Sequence, residues 1–313
     1  MGLRPGIGRL LPPIFVLYLC LCACNEQNRY EPTYTQRSGV TSAVPEYSFG
    51  FFPVADWTRV EKAYGPLVEM VNQRNGGGFT LRLETSSDYR AFESKLKNRQ
   101  LDFALANPYQ AVNAESMGYR IFSRMGDDDS LQGVIVVRKD SHIRQSSDLR
   151  GRNISFPSPT AMGPTLQTKL ALLKNGFNAD RDAKVSYVGS QSSAVMNVYS
   201  GIAAAGGTTV RDWRMLSAMQ PEIANALEIR WRAEPIVDCA VIARQDIPRE
   251  HVEAVRRVFL NLGHDEQGEK ILATLFVSSF HAADSATYDP VRKFLRQYES
   301  ALGKLPPLGS DNR

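Results

Sequence analysis

Cysteine and histidine are scarce in this 313-residue chain. Of its four cysteines, three lie within the first 24 residues and the fourth is Cys239, so the spacings of a disulfide framework or a zinc site are missing. The four histidines are scattered, at His142, His251, His264 and His281. A Walker loop, a dinucleotide-binding glycine motif and a Gly-x-Ser-x-Gly nucleophile motif are also missing. We therefore expect no metal, no cofactor and no catalytic activity.

Charge of one sign is not in large excess either. Lys and Arg number 37 and Asp and Glu 33, which gives a formal charge of +4. Because this charge is small and spread along the chain, it does not indicate a nucleic-acid partner. Hydrophobic residues make up 43% of the chain, as in ordinary globular proteins, and the length allows two lobes.

One apolar run, from Leu10 to Cys24, follows the basic residues Arg4 and Arg9. It is shorter than the ~20 residues of a membrane span and is typical of a secretory signal, which we place at residues 1–23. The run ends in Leu-Cys-Ala-Cys, which resembles a bacterial lipobox with Cys24 as the first mature residue. We expect Cys24 to carry a lipid that anchors the protein in the bacterial cell envelope, facing the periplasm or the outer surface. Plain secretion and an uncleaved anchor are the alternatives.

Two segments lack periodicity. Residues 24–45 contain Pro, Gly, Ser and Thr, and we interpret them as a flexible tether between lipid and domain. Residues 306–313 follow the last helical pattern, and we predict a disordered tail there.

Strands and helices alternate from residue 46 onward. Strand patterns at residues 47–52, 79–84 and 101–106 are separated by helical patterns, and this order predicts a parallel sheet with helical crossovers. The first helical pattern has an apolar stripe from Val60 to Val71, and the second starts at Ser86 or Ser87. Further helix starts are predicted after Asn107 and at the Ser-rich run that begins at Ser190. Ligands of such sheets bind at the carboxyl ends of the strands. Those ends carry Phe52, Ser86 and the run Asn107-Pro108-Tyr109.

A second series places three Ser/Thr-bearing turns at strand ends. They are Ser158 to Gly163, Gly189 to Ser193, and Gly206 to Thr209. The first precedes a helical pattern that starts at Thr165, so its backbone N–H groups and hydroxyls suit an anion. The alternative is that Ser158 or Thr160 merely caps the helix.

Several short stretches, in this order and spacing, resemble a known family. They are Phe49-Gly-Phe-Phe-Pro, Tyr64-Gly-Pro-Leu-Val-Glu, Leu101-Asp-Phe-Ala-Leu-Ala-Asn-Pro-Tyr, Gly133-Val-Ile-Val-Val-Arg-Lys-Asp-Ser, Asp148-Leu-Arg-Gly-Arg, Val188-Gly-Ser-Gln-Ser-Ser and Tyr288-Asp-Pro-Val-Arg. Across nearly all of residues 46–300 the chain resembles the phosphate/phosphite/phosphonate-type solute-binding proteins of bacterial ABC importers.

This resemblance implies an α/β, two-lobed type II periplasmic-binding-protein fold, each lobe a mainly parallel sheet flanked by helices. Lobe 1 would comprise residues 46–137 and 235–305, and lobe 2 residues 138–234. Crossover strands near residues 134–137 and 239–243 would serve as hinges.

The family also implies a function. The protein would capture a small oxyanion in the cleft between the lobes and deliver it to an ABC permease, without nucleic acid and as a monomer. The turn from Ser158 to Gly163 would hold the oxyanion. Phosphonate binders commonly have serines where this chain has Pro159 and Ala161, and many relatives have Asp where it has Ala204, so the identity of the oxyanion stays open.

The candidate ligand-binding residues lie at the strand ends and turns of both lobes. They are Phe52, Trp57, Asn107, Tyr109, Ser158, Thr160, Ala161, Met162, Gly163, Gln191, Ser192, Ser193, Thr208 and Thr209.

Two other functions fit the same sequence. A lipid-anchored sensor could report ligand to a membrane signalling kinase or cyclase, and a surface adhesion protein could expose Tyr109, Trp57 and Trp213 as a patch.

Overall fold

The structure of the protein, a computed structural model, describes residues 44–53, 57–126 and 131–310. The expected signal sequence, Cys24 and nearly all of the expected tether lie outside these ranges. Within them, no helix has the length and apolar character needed to cross a membrane.

The described chain forms strands and helices that alternate. The strands are β1 (Glu46–Phe51), β2 (Thr80–Glu84), β3 (Phe103–Ala106), β4 (Tyr119–Met125), β5 (Gly133–Arg138), β6 (Asn153–Phe156), β7 (Lys184–Tyr187), β8 (Ala205–Thr209), β9 (Leu227–Arg232), β10 (Ala240–Arg244) and β11 (Phe280–Ala282). The helices are α1 (Trp57–Arg74), α2 (Tyr89–Lys97), α3 (Pro108–Ala114), α4 (Thr168–Lys174), α5 (Ala179–Asp182), α6 (Gln191–Tyr199), α7 (Val210–Met219), α8 (Pro221–Ala226), α9 (Arg249–Leu260), α10 (Glu266–Leu275) and α11 (Asp289–Leu302). A π-helical segment, Met162–Gln167, leads directly into α4.

The strands form two sheets, one in each lobe. The first has the order β2-β1-β3-β10-β4-β11 and the second β7-β6-β8-β5-β9. β1 pairs in parallel with β2 and β3, and β6 pairs in parallel with β7 and β8. β10 and β5 run antiparallel to their neighbours. The predicted two-lobed α/β architecture with parallel pairing and helical crossovers is confirmed.

The chain passes between the two sheets after β4 and again after β9. Leu131 and Ile236 form an isolated antiparallel bridge where the two crossing segments meet. All of β5 pairs with strands of the second sheet, so the first crossing lies before Gly133 and the predicted boundary between residues 137 and 138 is wrong. A buried apolar strand has the same residue pattern in either sheet. The sequence of β5 therefore does not reveal which strands it pairs with.

Three other boundaries differ from the prediction. Helix α2 is capped by Asp88, whose carboxylate accepts the Ala91 N–H at 2.8 Å, and not by Ser86 or Ser87. Strand β8 runs through Gly206 and Gly207, where the sequence predicted a turn, and α7 and α8 follow it where no helix was predicted. The predicted disordered tail is also wrong as far as Ser310, because Leu308 is buried in the core of the first lobe.

Each lobe has its own apolar core. The predicted stripe of α1 packs into the first, and residues on the two faces of the second sheet belong to two separate clusters. The first core also includes Ala161, Met162, Leu166 and Leu170 from the second lobe. The start of the π-helical segment is therefore packed directly against the opposite lobe.

Candidate functional site

The two lobes meet at the carboxyl ends of their parallel strands. The Asn107 side-chain N–H, at the end of β3, lies 3.4 Å from the Thr160 carbonyl oxygen beyond β6. Nearby, a Cβ placed on Gly189 would lie 3.8 Å from the Cβ of Asp88, so the starts of α6 and α2 also approach each other. The strand ends predicted to carry ligand-binding residues thus face each other across one inter-lobe seam.

Glycines in two neighbouring strands support the turn from Ser158 to Gly163. A Cβ on Gly133 of β5 would lie 2.0 Å from the Gly163 carbonyl oxygen, and a Cβ on Gly207 of β8 would lie 2.1 Å from the Pro164 carbonyl oxygen. These distances are far below van der Waals contact, so only glycine lets the turn rest directly on the sheet. This close approach explains why β5 and β8 each contain a glycine, a residue that normally weakens a strand.

Hydroxyl groups order the turn from within. The Thr165 hydroxyl donates to the Ser158 carbonyl oxygen at 2.7 Å, and the Ser158 and Thr160 hydroxyl oxygens lie 2.8 Å apart. Ala161 and Met162 have no exposed surface and pack against the first lobe. Of the predicted residues in this turn, Ser158 and Thr160 therefore supply polar groups, whereas Ala161 and Met162 supply apolar wall.

Glu93 on α2 is a site residue that the sequence reasoning missed. Its carboxylate accepts the Thr160 hydroxyl from the opposite lobe, the Gln110 amide at 3.1 Å and the Gly309 backbone N–H at 3.1 Å. Burial raises the pKa of Glu93 above its ordinary value, although these hydrogen bonds oppose the shift. A charged residue four positions after Tyr89, on the apolar face of α2, was the signal that could have revealed it.

A second polar group lies on the β8–α7 side of the seam. Thr209 caps α7 by accepting the Asp212 N–H at 3.1 Å, and its hydroxyl donates to the Asp212 carboxylate. The Thr208 hydroxyl donates to the Gln191 side-chain oxygen at 3.3 Å, and Gln191 also interacts with Tyr89 and Asp212. Burial raises the pKa of Asp212, so its neutral form is favoured more than in water.

Arg211 fixes α7 to the crossing segment. Its guanidinium forms a buried ion pair with Asp238, and its other terminal nitrogen lies 3.9 Å from the Cys239 sulfur. The Tyr288 hydroxyl donates to the Asp238 carbonyl oxygen at 2.7 Å. The second lobe is thereby tied to the segment that leads into β10.

A cavity of about 270 Å³ opens between α1, α6, α7 and the end of α10. Its polar lining includes Tyr64, Gln191, Thr208, Arg211 and Asp212. The rest is largely apolar and includes Val60, Ala63, Val195, Met215, Leu216, Met219, Leu275 and Phe276. Gln191, Ser192 and Thr208 were predicted from the sequence, whereas the contributions of α1 and α7 were not.

Other predicted residues do not line this cavity. Phe52 packs against Tyr89 with ring centroids 6.0 Å apart, and Asn107 caps α3 together with Gln110. Tyr109 is buried and donates its hydroxyl to the Pro306 carbonyl oxygen at 2.7 Å, so it is not an exposed patch aromatic. Ser193 lies in the capping turn of α6, with its hydroxyl oxygen 2.8 Å from that of Ser190. The side chain of Trp57 lies outside the described part of the chain.

Within the described residues, no three or more His, Cys, Asp or Glu side chains come together as a metal site. The seam instead combines hydroxyls, amides, the carboxyl groups of Glu93, Asp212 and Asp238, and the Arg211 guanidinium that pairs with Asp238. Such groups can bind and orient a small polar molecule.

Solved structures share this architecture. A binding protein component of an ABC phosphonate transporter from Pseudomonas aeruginosa has a TM-score of 0.74 at 18% identity, covering 82% of this chain and 87% of that chain. PhnD1 from Prochlorococcus marinus, solved in complex with methylphosphonate, also has a TM-score of 0.74 at 18% identity, covering 80% and 97%. A Xanthomonas citri protein solved with bound ATP has a TM-score of 0.63 at 20% identity, covering 82% and 99%. At these identities the likeness concerns the fold alone.

The sequence matches no curated protein. Residues 49–288, however, match the profile of the family described as the periplasmic substrate-binding protein of the phosphonate ABC transporter. This match runs through both sheets, both crossing segments and every turn of the seam. The chain therefore belongs to the family of periplasmic substrate-binding proteins of ABC phosphonate transporters.

Proposed function

We propose that the cleft captures a small phosphonate-like oxyanion, with its charged oxygens at the turn from Ser158 to Gly163. The observation that carries this proposal is the position of Thr160, which presents a hydroxyl from the second lobe to Glu93 of the first within a buried seam. A ligand held there contacts both lobes at once, as a closing binding protein requires.

The chemistry of the turn supports an anion. Pro159 has no N–H, and the Thr160 and Ala161 N–H groups donate to the Ser158 hydroxyl and carbonyl oxygens at 3.3 and 3.2 Å. The amides of Met162 and Gly163 are therefore the donors that this turn offers first, and the hydroxyls of Ser158 and Thr160 serve a ligand only by exchanging their present contacts. The amides of Met162 and Gly163 belong to the first turn of a helical segment, where N–H groups have no intrahelical partner and the dipole favours negative charge. Uncharged donors of this kind bind oxyanions without a formal positive charge.

We infer that the inter-lobe cavity, which shares no lining residue with the turn from Ser158 to Gly163, receives an organic substituent of the ligand. Its 270 Å³ corresponds to roughly nine liquid waters at ~30 Å³ each, and much of its wall is apolar. The solved relatives with methylphosphonate and with ATP both hold phosphorus oxyanions that carry an organic group. A phosphonate whose substituent enters the cavity would bury apolar surface that bare phosphate lacks.

Delivery and anchoring complete the proposal. The loaded protein passes its ligand to an ABC permease, acts as a monomer, and is held at a membrane surface by lipid on Cys24. Substituting Cys24→Ser abolishes incorporation of labelled palmitate, whereas Cys22→Ser does not. Palmitate entering the Cys24→Ser variant contradicts the anchor.

Ligand identity is tested on gently purified protein. Native mass spectrometry identifies a co-purifying compound, and calorimetry then compares methylphosphonate and larger alkylphosphonates with phosphate, phosphite, sulfate and carboxylates. We expect an alkylphosphonate to bind more tightly than phosphate. A neutral or cationic compound that co-purifies, with no oxyanion binding, contradicts the oxyanion proposal.

A further inference from the structure

Thr160 has a single hydroxyl hydrogen, and the structure shows where it goes. It is donated to Glu93 Oε1, so the contact of the Thr160 oxygen with Ser158, at 2.8 Å, uses the hydrogen of Ser158. A ligand oxyanion can therefore accept the Thr160 hydroxyl only by displacing the Glu93 carboxylate. The principal side-chain donor of the proposed site is already engaged by the protein itself.

The last described residues hold Glu93 in this position. Residues 306–310, which we name the C-terminal strap, cross α2 and α3. The Gly309 N–H donates to Glu93 Oε2 at 3.1 Å, and the strap is fixed just before Gly309 by buried Leu308 and by the Tyr109 hydroxyl on the Pro306 carbonyl oxygen. A turn from Pro307 to Ser310 closes with a 3.1 Å backbone hydrogen bond.

Gly309 suits this contact for two reasons. Its φ of +69° is strained for other residues, and an added Cβ would lie 2.9 Å from the Ser94 hydroxyl oxygen and 3.1 Å from the Ser94 nitrogen. A larger residue at position 309 therefore strains the backbone and requires the strap or Ser94 to shift. The Gln110 side-chain amide donates at 3.1 Å to the same carboxylate. Glu93 is thus held by groups of the first lobe, and its carboxylate faces Thr160 of the second lobe.

We propose that Glu93 is an internal competitor for the Thr160 hydroxyl, kept in place by the C-terminal strap, and that it sets which oxyanions the cleft accepts. This inference rests on the proposed function. A carboxylate at the turn repels a ligand in proportion to the ligand's charge, so it disfavours dianions more than monoanions. Glu93 is thereby a specificity-determining residue, and the strap is its positioning device.

The competition depends on the charge of Glu93. The titratable groups that act on it are Asp88 and Tyr89 from its own helix and Tyr109 from α3, whereas the turn of the second lobe and the strap contribute only hydroxyl and backbone groups. Protonation of Glu93 removes its negative charge. The affinity of the wild-type protein for an oxyanion therefore rises as the pH falls. This rise is larger than the change that protonation of the ligand by itself would produce.

Calorimetry on the full chain tests the competition with three probes: methylphosphonate, sulfate as a dianion and methanesulfonate as a monoanion. Glu93→Gln keeps hydrogen-bonding capacity and removes the charge. We expect it to tighten methylphosphonate binding about tenfold near pH 8, and to tighten sulfate binding more than methanesulfonate binding. The gain in methylphosphonate affinity of Glu93→Gln over wild type becomes smaller toward pH 5, because Glu93 is then increasingly protonated in the wild type. An unchanged or weaker affinity of Glu93→Gln for methylphosphonate overturns the proposal.

Strap variants test the positioning role. A chain ending at Leu305 and the variant Gly309→Val both release Glu93, and both gain oxyanion affinity in the same direction as Glu93→Gln. A chain lacking only residues 311–313 keeps the strap and behaves like wild type. Combining Gly309→Val with Glu93→Gln adds nothing further, because both act through the same carboxylate. Wild-type affinity in both strap variants, with the gain confined to Glu93→Gln, overturns the role of the strap.

Thr160→Val separates this inference from the proposed function. If the oxyanion binds at Thr160, the substitution weakens binding and cancels the gain from Glu93→Gln in the double variant. Weaker binding by Thr160→Val without any gain from Glu93→Gln overturns the competitor alone. Unchanged binding by Thr160→Val, or no binding of any probe by wild type and Glu93→Gln, contradicts the proposed function.

Discussion

The Thr160 hydroxyl of the second lobe donates to the Glu93 carboxylate of the first, and this hydrogen bond joins the lobes at the turn proposed to hold the ligand. Both side chains are buried, with 0% and 2% of their surface exposed. A buried hydroxyl–carboxylate bond is stronger than one in water, and it leaves a costly unsatisfied group if either partner is removed. The contact between the lobes therefore depends on two residues that lie at the proposed ligand site.

Glu93 makes the stability of the protein depend on pH. Burial raises its folded-state pKa above the ordinary 4.5, so the folded protein holds the proton more tightly than the unfolded chain. Its contribution to stability is full below about pH 4.5 and is lost as the pH rises through the raised pKa. We expect the urea midpoint of Glu93→Gln to improve relative to wild type as the pH rises from about 4 to 8. A constant difference across this range contradicts the buried, shifted carboxyl.

The buried Arg211–Asp238 pair predicts a large loss of stability when one partner is removed. Asp238→Asn leaves the Arg211 guanidinium charged and buried without its counter-ion, which costs about 3–5 kcal/mol of unfolding free energy. Glu266→Gln in the exposed Lys270–Glu266 pair is the control and leaves the denaturation midpoint unchanged. Equal effects of the two substitutions contradict the structural role assigned to Asp238.

Gly207→Ala is predicted to displace the turn proposed to bind the ligand. Its Cβ would lie 2.1 Å from the Pro164 carbonyl oxygen, and relieving this clash costs about 1–3 kcal/mol of stability and moves the turn off the sheet. Oxyanion affinity falls with it. Gly65→Ala is the matched control, because nothing lies within 4 Å of its Cβ position in α1 and alanine favours the helix by about 0.5–1 kcal/mol. Calorimetry and thermal unfolding of both variants measure the contrast.

Tyr109 is predicted to act through packing. The ring is only 5% exposed, so Tyr109→Ala costs about 3 kcal/mol or more of unfolding free energy. Tyr109→Phe removes only the hydrogen bond to Pro306 and costs about 0.5–1.5 kcal/mol. A Tyr109→Ala variant with the wild-type melting temperature and weak ligand binding would instead make this residue a cleft wall.

The sequence predicted the architecture because local patterns determined it. The stripe from Val60 to Val71 fixed one face of α1, and the turns at Asn107 and Ser190 marked real helix starts. Spacing alone could not assign β5 to its sheet, since a buried apolar strand shows no partner. Glycines 206 and 207 suggested a turn, whereas in the structure Gly206 lies against Ala194 of α6 and Gly207 against Pro164. These are tertiary contacts, which the local sequence does not show.

The candidate site was only partly predictable for the same reason. The Ser- and Thr-bearing turns at strand ends pointed to Thr160, Gln191 and Thr208, which do lie on the seam. Glu93 and Gly309 are 216 residues apart in sequence, and their contact depends on the whole first lobe. The proline-rich composition of the strap resembled a disordered tail, and only its packing on α2 and α3 shows otherwise.

The affinity of Thr160→Val for methylphosphonate tests the central claim most directly. Calorimetry compares it with wild type and with Thr168→Val, a matched buried threonine whose hydroxyl bonds the Pro164 carbonyl oxygen within the helix. If the oxyanion binds at the turn, Thr160→Val loses about ten- to a hundredfold in affinity, equivalent to ~1.5–3 kcal/mol, and Thr168→Val keeps wild-type affinity. Unchanged affinity in Thr160→Val, with only a lowered melting temperature, would show that Thr160 merely stabilises the turn and that the ligand binds elsewhere.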